Sequence, residues 1–129
     1  MLTADHFRAL ALALDGATES AHMGHPDFRA NGRIFATLTA DGERGMVKLT
    51  PPQQREAIEA WPAFTAAAGA WGRQGCTLVD LAAARRDVVR DALVSAWENA
   101  MAQPAARSRS RAKAPRTRAA PKRRGPRLR

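Results

Sequence analysis

Residues 103–129, the last fifth of the chain, carry eleven Arg and Lys and no acid. The cations are Arg107, Arg109, Arg111, Lys113, Arg116, Arg118, Lys122, Arg123, Arg124, Arg127 and Arg129. Four prolines, six alanines and a single large aliphatic, Leu128, make up much of the rest, with no aromatic residue. Such a segment cannot bury enough apolar surface to offset its ordering entropy, so it reads as a disordered basic tail. Any fold must be built from residues 1–102.

That boundary also divides the charge. Residues 1–102 hold ten Arg and Lys against twelve Asp and Glu, a net of −2, whereas the tail is +11. The formal charge of +9 and the pI near 11.5 therefore describe an appendage on a mildly acidic globule. A basic run attracts phosphate polyanions and releases their counterions; an acidic globule does not.

One hundred and two residues make one small domain with a modest core. The chain has no apolar run long enough to span a bilayer. Its first residues, Met1-Leu2-Thr3-Ala4-Asp5, lack the basic-then-apolar pattern of a secretory leader. The single cysteine, Cys76, cannot form an internal disulfide, which fits a reducing, cytoplasmic setting.

Residues 3–14 predict a helix, with Thr3 as cap and Phe7, Leu10, Ala11 and Leu14 on one stripe. Asn31-Gly32 separates two strand-like runs and tolerates positive φ at both turn positions, which predicts a two-residue hairpin. In that register Phe28 faces Phe35 and Ala30 faces Arg33. Asp41-Gly42 marks a further turn before a strand over residues 45–49, and residues 19–23 predict a weaker strand. Thr50-Pro51-Pro52-Gln53 is a capping box with proline at the first helical position, and it opens a helix whose buried stripe is Ala57, Ile58 and Trp61. Residues 63–75 read as a loop, 76–81 as the last strand, and 83–101 as the best helix, with Val89, Leu93, Ala96, Trp97 and Ala100 inward. The order α-β-β-β-β-α-β-α predicts an α+β two-layer sandwich, one antiparallel sheet with helices on one face.

Several runs together resemble the MmcQ/YjbR family: Glu19 through His22, His25 and Pro26 to Arg29; Gly32 through Phe35 to Leu38; Met46 through Lys48 to Pro51; Ala70-Trp71-Gly72-Arg73 with Gly75; and Ala92-Leu93 to Ala96-Trp97. The resemblance covers residues 3 to about 100, with the motifs in the family's order. It implies an α+β fold similar to the frataxin-like (CyaY-like) sandwich, and it implies DNA binding, the label commonly given to the family. The chain departs from the family's pattern at Arg85-Arg86, where an acidic residue is usual, and in its basic tail.

The chemistry-bearing residues divide into three groups. His22 and His25, with Asp27 and Arg29 nearby, would line a polar corner of the sheet if its face is functional, and Trp71 is the best candidate for a functional aromatic. His-x-x-His without a second ligand pair reads as turn histidines rather than a metal site, so no metal and no cofactor are expected. Arg33, Arg44, Lys48 and Arg73 are the globule's candidate nucleic-acid contacts, the first three as an edge patch; Arg29 and Arg33 fall on opposite sheet faces. Trp61 and Trp97 sit on helical stripes and read as core. Ser20 and Ser95 lack a nucleophile-elbow context and Cys76 has no neighbouring base, so no catalytic residue is expected. The resulting expectation is a non-enzymatic protein that binds DNA, or RNA as the second polyanion, through sequence-independent phosphate contacts of the tail, with help from the globule. The alternative is a small-molecule- or protein-binding domain whose tail only localises it to anionic partners.

Overall fold

A computed structural model of the chain describes residues 2–22 and 24–104. The expected disorder of the tail, and all eleven of its cations, lie outside the described residues.

Helix α1, Ala4–Leu12, starts where the sequence places its cap. The Thr3 hydroxyl accepts from the His6 backbone N–H at 3.2 Å, while His6 Nδ1 accepts from the Thr3 N–H at 3.1 Å. Strands β1 (Thr18–His22), β2 (His25–Ala30), β3 (Arg33–Leu38) and β4 (Arg44–Lys48) follow. Helix α2, Pro51–Ala60, is opened by the reciprocal Thr50–Gln53 box. The segment expected to be loop holds a short strand, β5 (Phe64–Ala66), and a one-turn helix, α3 (Gly69–Arg73). Both are too short to leave a periodic signal. Strand β6 (Cys76–Asp80) and helix α4 (Arg86–Ala102) complete the domain. α4 begins three residues later than its pattern suggests. Asp80 holds residues 81–84 in a turn, its carboxylate accepting from Ala82 N–H and its carbonyl from Ala83 N–H, both at 3.1 Å.

The six strands form one antiparallel sheet in the order β1-β2-β3-β4-β6-β5. The architecture is the expected α+β sandwich. Helices α1 and α4 pack on one face over β2, β3 and β4. Between them lie Phe7, Phe28, Phe35, Leu38, Val47, Val79, Val89 and Leu93, each at most 2% exposed. Phe7 and Phe28 meet edge to face, centroids 5.9 Å apart. Gly45 on β4 lies directly under Phe7, and a Cβ there would overlap the ring.

Asn31 and Gly32 adopt φ of 56° and 73°, the left-handed pair a two-residue hairpin requires. Asn31 also closes α4: its Nδ2 donates to the carbonyls of Ala100 at 3.0 Å and Gln103 at 2.9 Å. The register departs from the simple hairpin beyond its first pairs. Ala30 faces Arg33 and Arg29 faces Ile34, but a bulge then sets Phe28 opposite Ala36, not Phe35. The extra residue lets Phe35 and Ala36 both turn into the core.

The buried stripe of α2 is also rotated from expectation. Gln54 is buried and Ala57 partly so, whereas Ile58 and Trp61 are 37% and 36% exposed. Gln54 Nε2 donates to the carbonyls of Gly72 and Cys76, both at 3.0 Å, and these two bonds turn the helix. A polar residue satisfied by distant backbone leaves no apolar signature in the sequence.

Candidate functional site

The β3–β4 ladder ends at Ala36–Val47. Beyond that pair the strands part, and the last turns of α4 close the gap from behind. Asn99 Nδ2 bridges it by donating to the Lys48 carbonyl at 3.2 Å and to Gln53 Oε1 at 2.9 Å. A cleft of about 530 Å³ opens here, walled by Arg29, Arg33, Lys48, Gln74 and Asn99 over Phe35 and Ala96. Among the described residues no Asp or Glu lines it. Arg33 reaches it from the helix-covered face and Arg29 from the opposite face, as their alternation on either side of the turn requires. They border one cleft because the sheet is open at this end.

The three cations are held differently. Arg29 makes a bidentate pair with the buried Asp27 carboxylate, at 2.9 and 3.2 Å. The bonded carboxylate raises the Arg29 pKa further above its ordinary value, so that charge is fixed but compensated. Arg33 donates from Nη2 to the Pro104 carbonyl at 3.1 Å, and its buried Nε has no partner among the described residues. Lys48 Nζ stands 5.8 Å from the centre of the Trp71 ring. The carbonyl Arg33 holds belongs to Pro104, directly before the segment that carries the eleven cations, so that segment is attached at the rim of the basic cleft.

The other residues singled out in the sequence are dispersed. Arg33, Arg44 and Lys48 do not make an edge patch: β3 and β4 are interior strands. Arg44 and Lys48 occupy opposite ends of one β4 face, and Arg44 stands across from Asp80. Arg73 is exposed on α3. His25 opens β2 opposite His22 in the ladder, while Asp27 is spent on Arg29. Trp71, 63% exposed, belongs with Lys48 and not with the histidines: His25 on β2 lies two strands from Lys48, roughly 10 Å at the usual strand spacing, and His22 on β1 lies three. Among the described residues no three His, Cys, Asp or Glu converge as a metal site. Burial pushes the Cys76 thiol up, against a smaller opposing pull from Lys48, and so favours the protonated form at neutral pH.

A second groove of about 520 Å³ runs between α2 and α4. Trp61, Phe64 and Ala57 supply its apolar wall, and Glu56, Asp87 and Asp91 its rim. Trp61 is therefore a groove wall and not core, with the Arg85 guanidinium 5.5 Å from its ring centre. Trp97 stays with the core, half-buried, its indole N–H donating to the Asp15 carbonyl at 2.8 Å. Neither groove was visible in the sequence, because each is lined from segments far apart in the chain. The spacing of Lys48 before the Thr50–Pro51 helix start was the nearest available signal for the basic one.

Among the described residues no helix is long and apolar enough to cross a membrane. No curated protein is matched by the chain. The fold is similar to that in the crystal structure of the Deinococcus radiodurans protein DR2400, whose domain is DUF419. The TM-score is 0.67 over 80% of this chain and 81% of that one, at 18% identity. The YjbR family model matches residues 12–99, from the end of α1 through most of α4 and thus more than half of the sequence; the chain belongs to the YjbR family.

Proposed function

We propose that this protein is a non-enzymatic, cytoplasmic DNA-binding protein whose affinity comes from the tail. The observation that carries this reading is the separation of charge, −2 on residues 1–102 and +11 on residues 103–129. Eleven cations with no interspersed acid can neutralise many phosphates of a nucleic acid at once and release their counterions, which an isolated acidic side chain does not offer. Arg and Lys side chains meet phosphates whatever the base, whereas base edges are read by side chains held in position, so binding is largely indifferent to sequence. The globule supplies an anchor: the tail starts beside Arg33 and Lys48, and their charge extends the path along which a backbone can lie.

The test compares the full chain with residues 1–104 on duplexes of unrelated sequence. The shorter form keeps the whole described core, from Leu2 to Ala100, and the Pro104 carbonyl that Arg33 holds. The full chain is expected to bind all duplexes within a few-fold of one another, and residues 1–104 to bind them weakly. Strong preference for one duplex, or equal binding by both forms, contradicts the proposal.

A further inference from the structure

We infer that the cleft where β3 and β4 part is a binding site for a phosphate group, gripped by Arg33 and Lys48. This goes beyond the DNA reading and stands without the tail.

Three observations converge on it. The first is shape. The ladder stops at Ala36–Val47, and the sheet opens into a space of about 530 Å³, within the range of small-molecule sites, roughly 300–1,000 Å³. The second is charge. Among the described residues three cations and no acid line the cleft of a domain whose net charge is −2. Asp27 compensates Arg29, but Arg33 and Lys48 have no acidic partner within 4 Å among the described residues. Arg33 and Lys48, both lining the cleft and neither offset by an acid, give it a net positive potential that favours an anion. The third is the state of Arg33. Its Nη2 is fixed to a backbone carbonyl, while Nε is buried and donates to nothing among the described residues. A buried donor without an acceptor costs free energy that an anionic oxygen would recover.

The same geometry selects the chemistry. A guanidinium fork and an ammonium point charge lining one cleft suit a tetrahedral dianion with several acceptor oxygens. The positive end of α2 adds its dipole at Thr50–Pro51, although its N–H groups do not contact the anion. Pro51 and Pro52 have none, and the Gln53 N–H is taken by Thr50. The cleft has room beyond one phosphate, so the group is carried either by a phosphorylated small molecule or by a nucleic-acid strand.

The experiment is a titration of the full chain followed by nitrogen–proton correlation spectra that include the arginine Nε–H signals. Inorganic pyrophosphate and a short DNA duplex are the two probes, added separately. With pyrophosphate, the Arg33 Nε–H signal and the backbone amides of Arg33, Ile34 and Leu49 are expected to shift along one saturating curve. Arg33→Gln and Lys48→Gln should each weaken that curve about tenfold or more, the size of one lost charge-assisted hydrogen bond. Arg55→Gln, on the exposed side of α2, should leave it unchanged. Lys48→Gln keeps the test valid if loss of the Arg33–Pro104 bond disturbs folding. Saturable cleft shifts with the duplex as well assign the phosphate to a nucleic-acid strand. Cleft shifts with pyrophosphate alone, the duplex moving only tail signals, assign it to a small molecule. Shifts that do not saturate, or that survive both substitutions, overturn the site. The duplex can still bind the tail in that event, and the DNA reading would then stand alone.

Discussion

Two grooves of nearly equal size flank α4, and they carry opposite charge. The one between α2 and α4 is rimmed by Glu56, Asp87 and Asp91 around the Trp61 ring. The one at the parted end of β3 and β4 is lined by Arg29, Arg33 and Lys48 with no acid. Leu49 lies on the wall of both. A net charge of −2 therefore conceals a polarised domain, and the tail is rooted at its positive pole. The sign of a domain's total charge says little about where it meets an anion; the side from which a charged appendage leaves says more.

The largest effect expected from this contrast is on nucleic-acid binding. Deleting residues 105–129 should lower duplex affinity at low salt by roughly a hundredfold or more, because most phosphate contacts disappear together. Neutralising two of the three rim carboxylates with Asp87→Asn and Asp91→Asn should change the same affinity only a few-fold, by electrophoretic-mobility or fluorescence titration. Comparable effects from the two changes would erase the distinction between the poles.

Next comes the support common to both grooves. α4 lines the acidic groove with Ala92 and Ser95 and the basic cleft with Ala96 and Asn99, and Leu93 between them is 1% exposed. Leu93→Ala should cost about 3–4 kcal/mol in urea unfolding, the usual range for a buried leucine. A loss under about 1 kcal/mol would mean that α4 does not seat against the sheet as described.

The tryptophans separate wall from core on a smaller scale. Trp97→Ala should cost about 3 kcal/mol, since it removes core packing and the bond to the Asp15 carbonyl. Trp61→Ala, from the rim of the acidic groove, should cost about 1 kcal/mol or less. The reverse order would put Trp61 in the core and dissolve the groove.

The smallest effect is chemical. Cys76 is buried behind Lys48, with its thiol pushed up. At about pH 8 a thiol reagent should modify it at least ten times more slowly in the folded protein than in urea. Lys48→Gln should slow it further, because the charge that partly favours the thiolate is gone. Equal rates folded and unfolded would show an open route to the sulfur from the cleft.

What the sequence disclosed and what it hid follow one physical rule. Features set by neighbours in the chain were legible: the Thr3 and Thr50 caps, the Asn31-Gly32 turn, the inward stripe of α4 and the charge break at residue 103. Features set by contacts across the chain were not. The bulge that turns Phe35 inward answers to core volume, and the rotation of α2 answers to carbonyls at Gly72 and Cys76. The cleft answers to where one ladder stops. The polar corner expected around His22, His25, Asp27 and Arg29, with Trp71 as a functional aromatic, is divided by contacts of the same kind. Helix α3 brings Trp71 to Lys48 on β4, and Asp27 is committed to Arg29.

The most direct test of the account is the salt dependence of duplex binding. With about half of the eleven tail cations engaged, the full chain should show a slope of log affinity against log salt near −5, at roughly −0.9 per neutralised phosphate. Residues 1–104 should show a slope between about 0 and −2, the share of Arg33 and Lys48 alone. A slope near −5 that survives truncation would contradict the central claim and move the binding site to the globule.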